Sequence, residues 1–161
     1  MKFGVLQLDS TIGDFDANRR KLLAGYEHAC GMGAEFVIAP ELFLCGYPPR
    51  DLLLRADFIA TNLDTLADTA RNVGTIPLAV GFVDTNVARP GRSLRNAAAV
   101  LHHGAIVWRQ NTSLLPTYDV FDEDRYFEPA ATDGVKPFNF KGRSEERRGG
   151  KECRSRWSLD H

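Results

Sequence analysis

The chain has 161 residues, 43% of them hydrophobic and 10% aromatic, with a formal net charge of −1. That length suits one ordinary domain with a real core. The charge balance excludes an electrostatic case for nucleic acid or an anionic membrane as partner. No run approaches the ~18 apolar residues of a membrane span, so no membrane segment is expected either.

The chain opens directly on a strand-like segment, Lys2-Phe3-Gly4-Val5-Leu6-Gln7-Leu8, without the pattern of a signal peptide. Thr11-Ile12-Gly13-Asp14 reads as a turn. A helix follows to about Gly31, with Asp14 or Asp16 as N-cap. Leu22, Leu23, Tyr26, Ala29 and Cys30 recur at helical spacing, and Gly31 and Gly33 suit its exit. Glu35-Phe36-Val37-Ile38-Ala39 is a short buried strand that Pro40 stops. A second helix starts near Asp51 or Asp57 and carries Phe58, Ile59, Leu63, Leu66 and Ala70 on one face. The nearly continuous apolar run Pro77-Leu78-Ala79-Val80-Gly81-Phe82-Val83 predicts a buried strand. Asn96-Ala97-Ala98-Ala99-Val100-Leu101 and Ala105-Ile106-Val107-Trp108, joined by His102-His103-Gly104, predict a hairpin. The alternation of strands and helices, closed by a hairpin, predicts an α/β layered domain with a mixed sheet. Gly31-Met32-Gly33 follows a helix instead of a strand, which removes the context for a dinucleotide-binding loop.

Three cysteines without paired spacing suit a reducing cytoplasm. The histidines (His28, His102, His103, His161) make no ligand pattern with them, so no metal site is expected. Composition changes abruptly after Gly142. Residues 143–161 hold six positive and four negative side chains with no periodicity, and they cannot bury a face. The functional reading is a basic tail for an anionic partner; the small charge excess favours a disordered or spurious end. The expected organisation is therefore a domain over residues 1–142 and an unrelated charged tail over 143–161.

The most informative stretch is Ala39-Pro40-Glu41-Leu42-Phe43-Leu44-Cys45-Gly46-Tyr47. It sets one carboxylate at the end of an apolar strand, where α/β proteins keep their chemistry. Apolar neighbours on both sides disfavour the charged form, which is how a general base is tuned. The plain alternative is a structural Glu held by nearby backbone N–H groups.

The segments Pro40-Glu41-Leu42 and Gly46-Tyr47-Pro48-Pro49-Arg50-Asp51-Leu52-Leu53 continue a pattern found again in a later one. That later segment is Leu114-Leu115-Pro116-Thr117-Tyr118-Asp119-Val120-Phe121-Asp122-Glu123. Together they resemble the nitrilase (carbon–nitrogen hydrolase) superfamily. More closely, they resemble the N-terminal glutaminase domain of the glutamine-dependent NAD synthetase family, over residues 1–142. The resemblance implies an α/β nitrilase-like αββα layered sandwich, with its N-terminal part present here.

It also implies glutamine amide hydrolysis that supplies ammonia for ATP-dependent synthesis of NAD from nicotinic acid adenine dinucleotide. Such a site needs a thiol nucleophile, a carboxylate base and a cation that stabilises the oxyanion. By motif match Glu41 is the general base and Glu123 the second carboxylate, while Tyr47 and Tyr118 shape the glutamine pocket. Asp122 is a structural neighbour. No cofactor is implied for this domain; ATP and Mg belong to a synthetase domain that normally sits in the same chain, and family members form homo-oligomers.

Two departures stand beside these matches. The family lysine position is occupied by Thr112, whose hydroxyl supplies no fixed charge; Lys136 lies outside the motif and Arg109 is out of register. The family's nucleophile strand, expected after Gly142, has no counterpart. Cys153 has the wrong distance and neighbours, Cys45 holds a structural position, and Cys30 reads as helix core. The expectation is a chain without glutaminase activity. The alternatives are a stand-alone superfamily amidase, or a non-catalytic remnant with only a binding role. Half a layered sandwich also predicts an uncovered strand edge, an open apolar face and poor solubility.

Overall fold

The computed structural model describes residues 1–88, 91–117, 122–131, 137–140 and 143–144. Five strands form one mixed sheet in chain order, β1 (Phe3–Val5), β2 (Phe36–Ile38), β3 (Leu78–Thr85), β4 (Leu94–His102) and β5 (Ala105–Asn111). β1, β2 and β3 run parallel, whereas β3, β4 and β5 pair antiparallel. The parallel pairs need crossovers, and helices α1 (Phe15–Gly31) and α2 (Ala56–Arg71) provide them. This is the mixed α/β sheet expected from the sequence.

Both helices lie on one face of the sheet. Leu22 and Tyr26 of α1 and Leu66 and Ala70 of α2 meet Val37, Leu78, Val80, Phe82, Ala97, Ala99 and Leu101 in one core. Alternation along the strands sends the remaining side chains to the other face. There Phe3, Val5 and Ile38 are exposed, Val5 at 67%. Among the described residues β1 is an edge strand of the sheet. A two-stranded ribbon, β6 (Asn139–Phe140) with β7 (Arg143–Ser144), has its second strand beyond Gly142. Phe138 and Phe140 make aromatic contacts with Phe36, and Phe138 also with Trp108.

Local chemistry accounts for the element ends. Asp14 caps α1, its carboxylate accepting from the Ala17 N–H at 3.1 Å. α2 starts beside Asp57, one of the two expected positions; a 3-10 helix (Arg50–Leu54) precedes it, and Arg55 stands at its N-cap without a capping side-chain hydrogen bond. Asp57 instead lies in the first turn, gripped by Arg55 at 2.6 Å. The β4–β5 turn uses His103 (φ 50°) and Gly104 (φ 77°), the left-handed pair that a two-residue hairpin requires.

Candidate active site

Glu41 leaves the end of β2 on a loop that folds back across the open face of the sheet, directly over β3. The crossing is tight at Gly81: a Cβ there would lie 2.3 Å from the Leu42 nitrogen and 2.7 Å from the Glu41 Cα. The Gly81 N–H donates to the Pro40 carbonyl at 3.3 Å, tying loop to strand. Leu42 takes a left-handed φ of 45°, a conformation that costs a leucine of order 1–3 kcal/mol. Its complete burial, and the Gly46 N–H donating to its carbonyl at 3.0 Å, hold it there. Asn18, fully buried on α1, donates to the carbonyls of Thr11 and Leu44 and fixes the loop from the other side.

Glu123 comes from a distant segment. A 3-10 helix (Glu123–Arg125) docks beside the start of β4, where the Glu128 N–H donates to the Leu94 carbonyl at 2.8 Å. Glu123 is 5% exposed, the only buried carboxylate among the described residues. Tyr47 donates its hydroxyl to Glu123 Oε1 at 3.0 Å.

Between the two carboxylates stands Asn96, 2% exposed on β4. Its amide nitrogen donates to Glu41 Oε1 at 2.5 Å and to Glu123 Oε2 at 3.0 Å. The Asn96 carbonyl accepts from the Thr112 N–H at 2.8 Å, and the β4–β5 register carries Thr112 onto the same sheet face. Glu41, Glu123, Tyr47 and Thr112 therefore converge on one strand position. Sequence reasoning passed over Asn96; its only trace was one amide opening the alanine-rich run of a buried strand.

The surroundings raise the Glu41 carboxyl above its ordinary 4.5. Desolvation is the main cause, the charge of Glu123 adds to it, and the Asn96 hydrogen bond opposes both. The residue as a whole stays exposed, while its Oε1 is held by Asn96. The ion pairs among the described residues engage other carboxylates, so no cation pairs with Glu41 or Glu123 there. Arg109 points to the helix-covered face, 3.5 Å from Asp84 and over the Phe82 ring. A cleft of about 320 Å³ opens on the Tyr47 and Glu123 side, rimmed by Arg50, Asp51, Asp122 and Arg125. Asp122 itself is exposed.

Cys45 lies four residues from Glu41, yet it is fully buried and its thiol is pushed up to about 12 by burial. It is a packing residue and a poor nucleophile. Among the described residues no cluster of His, Cys, Asp and Glu could hold a metal ion. Tyr118, Lys136 and Cys153 lie outside the described residues.

The loop carboxylate at a strand end, the buried Glu123 held beside it and the helix-backed mixed sheet define an α/β domain with a paired-carboxylate site. Residues 2–150 match the carbon–nitrogen hydrolase family, and the chain belongs to it. It is similar to the glutamine-dependent NAD(+) synthetase of Thermotoga maritima, 39% identical over 132 residues, which are 80% of this chain and 22% of that protein. The Synechocystis sp. synthetase is 41% identical over 129 residues, 78% of this chain and 23% of that one. The chain thus spans less than a quarter of the length of these relatives.

Among solved structures, the glutamine-dependent NAD+ synthetase of Acinetobacter baumannii matches with a TM-score of 0.78 at 31% identity. That match covers 88% of this chain and 26% of the other. An amidase from Nesterenkonia sp. shares the fold, with a TM-score of 0.67 at 22% identity over 89% of this chain and 53% of its own.

Proposed function

We propose that residues 1–142 form part of a glutaminase domain, which hydrolyses the side-chain amide of glutamine and passes ammonia to an NAD synthetase. Convergence of Glu41, Glu123 and Tyr47 on one Asn96-centred site carries this reading. Glu41 is the general base: it takes the proton of a thiol, the thiolate adds to the amide carbonyl, and the tetrahedral intermediate expels ammonia with that proton. Water then opens the thioester to glutamate. Glu123 is the second carboxylate, and Tyr47 with Tyr118 shapes the glutamine pocket. On the same reading the protein works in the cytoplasm and assembles as a homo-oligomer. ATP and Mg serve only the synthetase domain, and residues 143–161 are an unrelated charged tail.

On this reading two parts of the chemistry find no group among the described residues. Thr112 stands where the cation belongs, and removing one oxyanion stabiliser costs on the order of 10²–10³ in rate. Neither Cys30 nor Cys45 is placed as a nucleophile. The 161-residue chain is expected to release no ammonia from glutamine, with or without Thr112→Lys. The decisive test joins residues 1–142 to the rest of the Thermotoga maritima synthetase. With Thr112→Lys that chimera should hydrolyse glutamine, and adding Glu41→Gln should lower the rate by roughly 10²–10⁴. A folded Thr112→Lys chimera that is inert, or one indifferent to Glu41→Gln, would overturn the assignment.

A further inference from the structure

We infer that Asn96 is the positioning residue of this site, a single amide that clamps the base Glu41 and the buried Glu123 at a fixed separation. The inference rests on the reading of Glu41 as base. Three asparagines are fully or almost fully buried among the described residues, Asn18, Asn62 and Asn96. Two of them serve the backbone: Asn18 donates to the Thr11 and Leu44 carbonyls, and Asn62 donates to the Val83 carbonyl at 2.6 Å. Asn96 alone directs its NH2 to side chains, and both of those are carboxylates. They come from positions 55 and 27 residues away, so no local turn explains the pairing.

The chemistry requires an amide there. Two carboxylates facing one polar group need two donors, and an NH2 supplies both from one nitrogen without adding charge. The opposite amide orientation would set its oxygen against two carboxylate oxygens. The bond lengths and trigonal nitrogen put Glu41 Oε1 and Glu123 Oε2 roughly 5 Å apart. At that distance like charges repel, and the shared amide offsets the repulsion. The groups facing Glu41 are Asn96 and Glu123, which also accepts the Tyr47 hydroxyl; no described cation joins them. Among the described residues Glu41 Oε2 accepts no hydrogen bond, so the clamp holds one oxygen and leaves the other for a proton. The carbonyl of the same Asn96 fixes the Thr112 backbone, so base, second carboxylate and lysine position are set by one strand residue.

The test is a carboxyl-carbon NMR titration of glutamate-labelled full chain, with Glu41→Gln to assign the resonance. Asn96→Leu keeps the side-chain size and removes both donors; its Glu41 midpoint should move upward from that of wild type. Asn96→Ser retains one donor, should move the midpoint in the same direction by less, and decides the matter if Asn96→Leu does not fold. Asn18→Ser, which loosens the loop without touching either carboxylate's donor, should leave the midpoint in place. A Glu41 midpoint unchanged in a folded Asn96 variant would overturn the clamp while leaving the hydrolase reading intact. An inert chimera beside a displaced midpoint would do the reverse.

Discussion

Gly81→Ala is the sharpest perturbation of the site's scaffold. The added methyl would sit 2.3 Å from the Leu42 nitrogen, 2.7 Å from the Glu41 Cα and 2.8 Å from the Glu41 carbonyl carbon. Comfortable contacts lie near 3.5 Å, so loop and strand must separate by about 1 Å. All three contacts are backbone atoms, which cannot rotate away, and the loop is anchored by the Gly81–Pro40 and Gly46–Leu42 hydrogen bonds. Overpacking costs ~1–3 kcal/mol, and the absence of a flexible partner points to the upper end. A loss of ~3 kcal/mol is about a hundredfold in the folding equilibrium. For a chain of this size it lowers Tm by roughly 6–12 °C. Urea unfolding followed by circular dichroism measures it, with Gly31→Ala as control. Gly31 has nothing within 4 Å of its would-be Cβ, and in a helix the exchange should stabilise by ~0.5–1 kcal/mol. A Gly81→Ala chain within ~0.5 kcal/mol of wild type would refute the close crossing.

The raised Glu41 carboxyl makes stability depend on pH. Between the ordinary 4.5 and the higher native value the folded chain binds more protons, so stability falls as pH rises through that window and then levels off. Glu41→Gln should remove that slope in urea titrations at a series of pH values. Cys45, buried with its thiol near 12, should resist iodoacetamide at pH 8 in the native chain and react only after unfolding, as read by peptide mapping. The open face carrying Val5 and Ile38 should bind a hydrophobic dye and drive concentration-dependent association. Val5→Lys with Ile38→Lys should abolish both, and a wild-type chain monomeric at all concentrations in sedimentation would count against the exposed face.

Periodicity and punctuation alone determined most of the fold. The apolar spacing of Leu22, Tyr26 and Ala29 defined α1, its start was narrowed to Asp14 or Asp16, and His103-Gly104 marked the hairpin, because each rests on forces within a few residues. Glu41 was legible for the same reason, as a carboxylate where an apolar strand stops. The start of α2 beside Asp57 was legible too, whereas the other position offered, Asp51, falls in the 3-10 turn that precedes the helix, where Leu53 is buried. What only the tertiary structure decided is who meets whom. Glu123 is 82 positions from Glu41, and a pair so distant meets only once strands, loop and 3-10 helix are docked. Asn96 looked like one polar residue in a buried strand, and Gly81 like one small residue in another. Strand register turned the first into the bridge between two carboxylates, and the crossing of the Glu41 loop left the second no room for a side chain. Neither is a property of the residue's own neighbourhood in sequence, since both arise from contacts that the sheet creates.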